Sequence, residues 1–261
     1  MLFVKQFISI FITLSLIVQT CPANSSTFTT SNVNINNAYN IAKNLDSSYL
    51  NKNDTINIID KGLNDSSNYT NIIANTINIA SNIHANNLSL KADANNDKNI
   101  VAIDSSSLGG MYANKINLIA TNDGVGVNNK GIILATNIKI NASGDIINSG
   151  KIKSNATTKI KADRFINKDN LQKTEINSYY AVLKANEIIN YGIFNFKFLE
   201  VYSDKFINNS SNLNLANAVI YSNDFILKNA KLNVIDNMVL ISPNIRLKNA
   251  NLNIKSAHIF V

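Results

Sequence analysis

The sequence has no tryptophan, one cysteine (Cys21), two prolines and two histidines in 261 residues. A single thiol forms no disulfide within the chain, and processing after Ala23 would leave none, which excludes cysteine chemistry. His84 and His258 stand far apart without the spacing of a metal site, and no Ser/His/Asp set can be assembled around them. Arginine occurs only as Arg164 and Arg246, and the lysines stand singly. The net charge of +7 therefore comes without a basic run. Nucleic acid is not an expected partner, and lysine on solvated strand edges is the expected use. After the N-terminal apolar stretch no second run of membrane length follows.

What is present is a chain 45% hydrophobic and 16% charged, able to bury a sizeable core. Roughly a fifth of it is Asn, a residue that favours turns and competes for backbone hydrogen bonds in helices. With abundant Ile, this predicts short strands joined by Asn-bearing corners. Residues 1–23 read as an export signal peptide: Lys5 supplies the positive end, Phe7 to Val18 the apolar run, and Cys21-Pro22-Ala23 the cleavage context. Gln19 and Thr20 are poor neighbours for lipoprotein processing at Cys21.

The segment GVGVNNKG, from Gly124 to Gly131, resembles a phosphate loop only superficially. Gly124 and Gly126 fit a dinucleotide fingerprint, but its third glycine falls on Asn129. A P-loop needs Lys and Ser/Thr after its last glycine, whereas Ile132 and Ile133 follow Gly131. The next residues, IILATNIKINAS, suit strands rather than the helix both motifs require. These glycines are expected to serve backbone geometry, at tight corners and close coil crossings.

A loose repeat organises the rest. VYSDKFINNSSNLNL, IYSNDFILKNAKLNV and LISPNIRLKNANLNI place Phe206, Phe225 and Ile245 at matching positions, 19 and 20 residues apart. Earlier relatives centre on Ile77, Ile116, Phe165 and Ile188. A period near 20 with two or three short strands fits one coil of a parallel β-solenoid, of about 10 to 12 coils in all and roughly 50 Å long. Alternation puts Ile, Leu, Val and Phe inside, with Asn, Ser and Lys outside. Asn suits left-handed corners and stacked ladders. A β-sandwich is the alternative.

Leu108 to Gly131, LGGMYANKINLIATNDGVGVNNKG, resembles a segment of two-partner secretion exoproteins, the filamentous haemagglutinin and contact-dependent growth inhibition family of Gram-negative bacteria. The preceding GLNDSSNYTNIIANTINIASNIHANNLSLKADAN resembles the end of that family's secretion domain. Gly109, Gly110, Met111, Tyr112, Ala113, Ile116, Gly124, Gly126, Val127, Asn129 and Gly131 match its pattern as structural positions. The resemblance implies an all-β, right-handed parallel β-helix and export through an outer-membrane two-partner transporter. It also implies an adhesive or toxin-presenting role toward a host-cell or glycan receptor, with no cofactor. It gives residues 24–153 as a secretion-domain-like β-helix with an incomplete N-terminal part, and 154–261 as repeat coils. The family's early Asn-Pro-Asn motif is absent, and Asn24 to Lys61 is short for a whole secretion domain. The ending SAHIFV, an apolar strand without a polar cap, leads to the expectation of a shortened copy and of end-to-end self-association.

Parallel β-helices also carry polysaccharide lyases and hydrolases, which need clustered carboxylates on one face. Asp163, Asp204 and Asp224 recur at similar repeat positions, and stacking could bring Asp204 near Asp224, though Lys205 beside them argues for a solvated corner. No catalytic, cofactor or metal residue is assigned. Tyr179, Tyr180, Tyr191, Phe194, Phe196 and Phe198 form an aromatic-rich patch, either exposed for a glycan or partner or packed inside, since alternate residues in FNFKF point the same way. The expected function is a secreted or cell-surface adhesin fragment that binds rather than catalyses. A β-helix carbohydrate-active enzyme and a nonfunctional remnant of a larger exoprotein are the alternatives.

Overall fold

A computed structural model describes residues 26–27, 32–35, 46–92, 94, 101–168 and 174–261. The export-signal reading of residues 1–23 lies outside them. The described chain is all strand, and every registered pairing is parallel: a β-solenoid of about ten turns. Each coil presents three faces. Gly110–Ala120 and Ile132–Ala142 each cover the first and second faces and bend between them, while short strands such as Gly126–Asn129 and Ile146–Asn148 cover the third. The later strands Ile193–Asn209 and Asn212–Lys228 run around all three.

The register explains the repeat. On the third face Ile56, Ile77, Ile103, Val127, Ile146, Phe165, Ile188, Phe206, Phe225 and Ile245 stack as one column. The step is 18 residues from Ile188 to Phe206 and 26 from Ile77 to Ile103, so corners absorb the variation and the faces do not. Ile116 corrects the sequence reading. It aligns with Leu88 and Ile138 on the second face, because YANKINLI has the same alternation but follows a different corner.

Side-chain alternation holds within a face and slips by one residue at a corner. In Ile193–Asn209 the buried residues are Phe194 and Phe196, then Leu199 and Val201, then Phe206 and Asn208. Phe198 therefore points outward, against the expectation drawn from FNFKF. The interior is filled by aliphatic columns and by parallel ring stacks, Phe206 on Phe225 with centroids 5.6 Å apart and Phe165 near Phe194 at 6.3 Å.

A polar column also runs inside. Asn129, Asn148, Asn167, Asn190 and Asn208 are all buried on the third face. The Nδ2 of each of the first four donates to the next residue's Oδ1, at 2.8, 2.8, 2.7 and 2.6 Å in chain order. An unpaired amide here would cost its full desolvation, so the column requires one register for all five coils.

The corner between the third and first faces is turned in two ways. Some coils use glycine: a Cβ on Gly131 would lie 1.8 Å from the Gly109 carbonyl oxygen, and one on Gly150 would lie 2.0 Å from that of Gly131. Others use left-handed residues, Asp60, Ser210, Asn229 and Asn249 at φ of 53°, 51°, 50° and 50°. Asn tolerates that conformation better than most residues, as the sequence led us to expect.

Candidate functional site

With the interior closed by its columns, the side chains open to solvent lie on the outer faces. On the third face charge alternates along the axis. Asp145 pairs with Arg164, Glu187 with Lys205 at 3.0 Å, and Asp224 with Arg246 at 2.5 Å. Arg164, Glu187, Lys205 and Asp224 occupy one register column. All six groups are partly solvated, so each pair adds at most about 1 kcal/mol, and their effect is to oppose slippage by one coil.

The stacking of Asp204 on Asp224 is not observed. Asp224 lies opposite Lys205, while Asp204 accepts from Asn223 Nδ2 at 3.1 Å. Asp163 likewise accepts from Asn186 Nδ2 at 2.7 Å. The repeat brings these acids to equivalent corners, one residue out of phase with a carboxylate dyad. Among the described residues no group of three His, Cys, Asp or Glu side chains converges in a metal-binding arrangement. His84 faces out at a corner and stacks on Tyr112, centroids 4.8 Å apart. His258 sits on the last described coil, opposite Val239.

A shallow groove of about 700 Å³ follows the axis at the corner between the first and second faces. Its floor is a second amide ladder that the sequence reading did not assign. Asn214 Nδ2 donates to Asn195 Oδ1 at 2.7 Å, and Asn233 Nδ2 to Asn214 Oδ1 at 2.8 Å. The signal was present in NLNL, KLNV and NLNI, where one Asn recurs between apolar neighbours. At the head of this ladder Glu175 accepts long contacts from Asn177 and Asn195 and pairs with Lys153 at 3.2 Å. Burial pushes the Glu175 carboxyl up, but the Lys153 hydrogen bond and charge outweigh it and hold the group below its ordinary value. At the rim Lys197 stands 5.0 Å over the Tyr179 ring, and Ala216 leaves a notch before the exposed Ile235.

The aromatic patch is divided by the fold. Phe194 and Phe196 are core, whereas Tyr179, Tyr191 and Tyr202 are exposed. On the second face Glu200 accepts from the Tyr180 hydroxyl at 2.5 Å and from the Tyr202 hydroxyl at 3.1 Å. The bond to Glu200, with some desolvation, pushes the Tyr180 hydroxyl up to about 12.

These features define a class: a parallel β-solenoid whose outer ladders offer amides, charges and rings at the coil spacing of about 4.8 Å. Over 104 aligned residues the chain is 38% identical to Toxin CdiA of Yersinia pestis, an alignment that takes in 33% of this chain. The match spans only 3% of the length of that curated relative. No family model matches the chain. No solved structure matches it either.

Proposed function

We propose that this chain is an exported, cell-surface segment of a two-partner secretion exoprotein of the haemagglutinin and contact-dependent inhibition type, acting by binding and not by catalysis. The observation that carries this reading is the 38% identity to Toxin CdiA, on a chain that folds as a parallel β-solenoid. In this reading residues 1–23 are the signal peptide, 24–153 the secretion-domain-like part and 154–261 repeat coils of the presenting rod. An outer-membrane two-partner transporter moves the chain, and a host-cell or glycan receptor meets its outer faces.

The test is surface display. The chain is expressed in a Gram-negative host with and without a two-partner transporter gene taken from the same genome, and protease is added to intact cells. The proposal requires transporter-dependent cleavage. Retention in the periplasm with every transporter supplied overturns it.

A further inference from the structure

The second face carries an arrangement the rest of the surface lacks. Its outward residues include Lys115, Lys139, Lys159 and Lys161 on three earlier coils, Lys184 beside Tyr180 and Val182 on the next, and Phe198, Tyr202 and Tyr221 on the two that follow. The register sets Lys139 directly beside Lys159, and Lys161 directly beside Lys184. Like charges directly opposite on neighbouring strands are unfavourable. The third face avoids this by alternating sign, yet here the lysines run as a diagonal stripe across four coils. Among the described residues none of the five forms an ion pair, and Lys115, Lys139, Lys159, Lys161 and Lys184 are all exposed. Among the described residues, Glu200 on this face has both carboxylate oxygens hydrogen-bonded to tyrosines, and Asp204 at its bordering corner accepts from Asn223 Nδ2.

Beside the stripe lies an aromatic area, where Tyr202 and Tyr221 share a shallow groove with Lys161 and Lys184. Tyr202 and Tyr221 are 39% and 40% exposed and stack on each other, centroids 5.3 Å apart and 7° from parallel. Each ring covers one face of the other, and the faces that remain turn along the axis toward the aligned Lys184 and Ile241. A lipid interface suits the pair, because tyrosine there keeps its ring among acyl chains and its hydroxyl among headgroups. Lysine complements this, laying its stem on apolar surface while its ammonium meets an anionic headgroup.

From the unpaired lysine stripe and the adjoining stacked tyrosines we infer that the second face is a docking surface for an anionic lipid bilayer. The inference goes beyond the proposed function and does not depend on secretion route or receptor. Each lysine near an anionic leaflet is worth about a fivefold gain in partition. The tyrosines and valines add shallow apolar contact, giving weak, reversible, salt-sensitive binding.

The test is co-sedimentation of the purified chain with vesicles of phosphatidylcholine alone, and with phosphatidylglycerol making up roughly a third. The inference requires binding to the anionic vesicles only, falling steeply between about 0.1 M and about 1 M salt. Replacing Lys139→Gln with Lys159→Gln should weaken it about thirtyfold. Tyr202→Ser with Tyr221→Ser should weaken it as well. Lys151→Gln with Lys231→Gln, on the first face, should leave it unchanged, and far-UV circular dichroism checks that each variant keeps its strands. Absence of binding by the parent chain overturns the inference, as does a lysine pair variant that binds undiminished. Loss with the lysines but not with the tyrosines, together with equal affinity for soluble dextran sulfate, also overturns it in favour of a free polyanion.

Discussion

Asn148 donates from Nδ2 to Oδ1 of Asn167 at 2.8 Å, and neither side chain is reached by solvent. The bond joins two consecutive coils through the interior, where a slip of one residue would replace the amide with an aliphatic side chain. The ladder thus couples the register of five coils, and its three inner members bond to a neighbouring Asn on both sides.

Asn167→Ala should therefore destabilise by about 2–4 kcal/mol, since it strands the Asn148 donor and the Asn167 share of the Asn190 acceptor. Urea denaturation reads this as a lower midpoint at unchanged slope. A loss under about 0.5 kcal/mol would show that the ladder contributes little to stability.

Gly131→Ala places a methyl where the Gly109 carbonyl oxygen lies 1.8 Å away. The two coils must separate, and we expect a loss of at least about 3 kcal/mol or failure to fold. The neighbouring Ser149→Ala change, on the next coil of the same corner, should be almost silent. Equal melting temperatures for the two variants would refute the close-approach account.

Phe225→Ala removes a fully packed ring stacked on Phe206 and should cost about 3–5 kcal/mol. Phe198→Ala, one corner away and facing outward, should cost less than about 1.5 kcal/mol. Calorimetry on the pair tests whether the corner at Lys197 flips the alternation as observed.

Tyr180 should ionise near 12, against an ordinary value near 10, because its hydroxyl donates to Glu200. A pKa raised on folding gives stability that is complete below about pH 10 and is lost as pH rises through about 12. Tyrosinate absorbance follows the titration, and Glu200→Gln should bring the Tyr180 step back toward 10. An unchanged step in that variant would rule out the carboxylate as the cause.

The sequence carried the solenoid because packing repeats: Phe206, Phe225 and Ile245 are stacked at the interval that their spacing gave. It misled at Ile116 because an apolar–polar alternation marks a strand without saying which of three faces it occupies. Phe198 missed its expected position because the corner at Lys197 breaks the period of two. Asp204 and Asp224 missed theirs because they stand 20 residues apart on coils that step by 19, one place out of register. Glycines and Asn corners were legible, since close approach and left-handed backbone leave few residue choices. The lysine stripe was not, because Lys115, Lys139, Lys159 and Lys184 are singletons in the chain and become neighbours only through the register.

Every strand in the described stack pairs only with the coils before and after it, so no bond ties distant coils together. Pulled along its axis, such a rod would not give way all at once. It would shed its end coil, freeing for a step such as Phe206 to Phe225 19 residues, or about 65 Å of extended chain. The coils behind would hold their shape until the load reached each in turn. The same stacking that makes the molecule stiff in compression would make it a tether under tension, lengthening in instalments while most of its surface stayed presented.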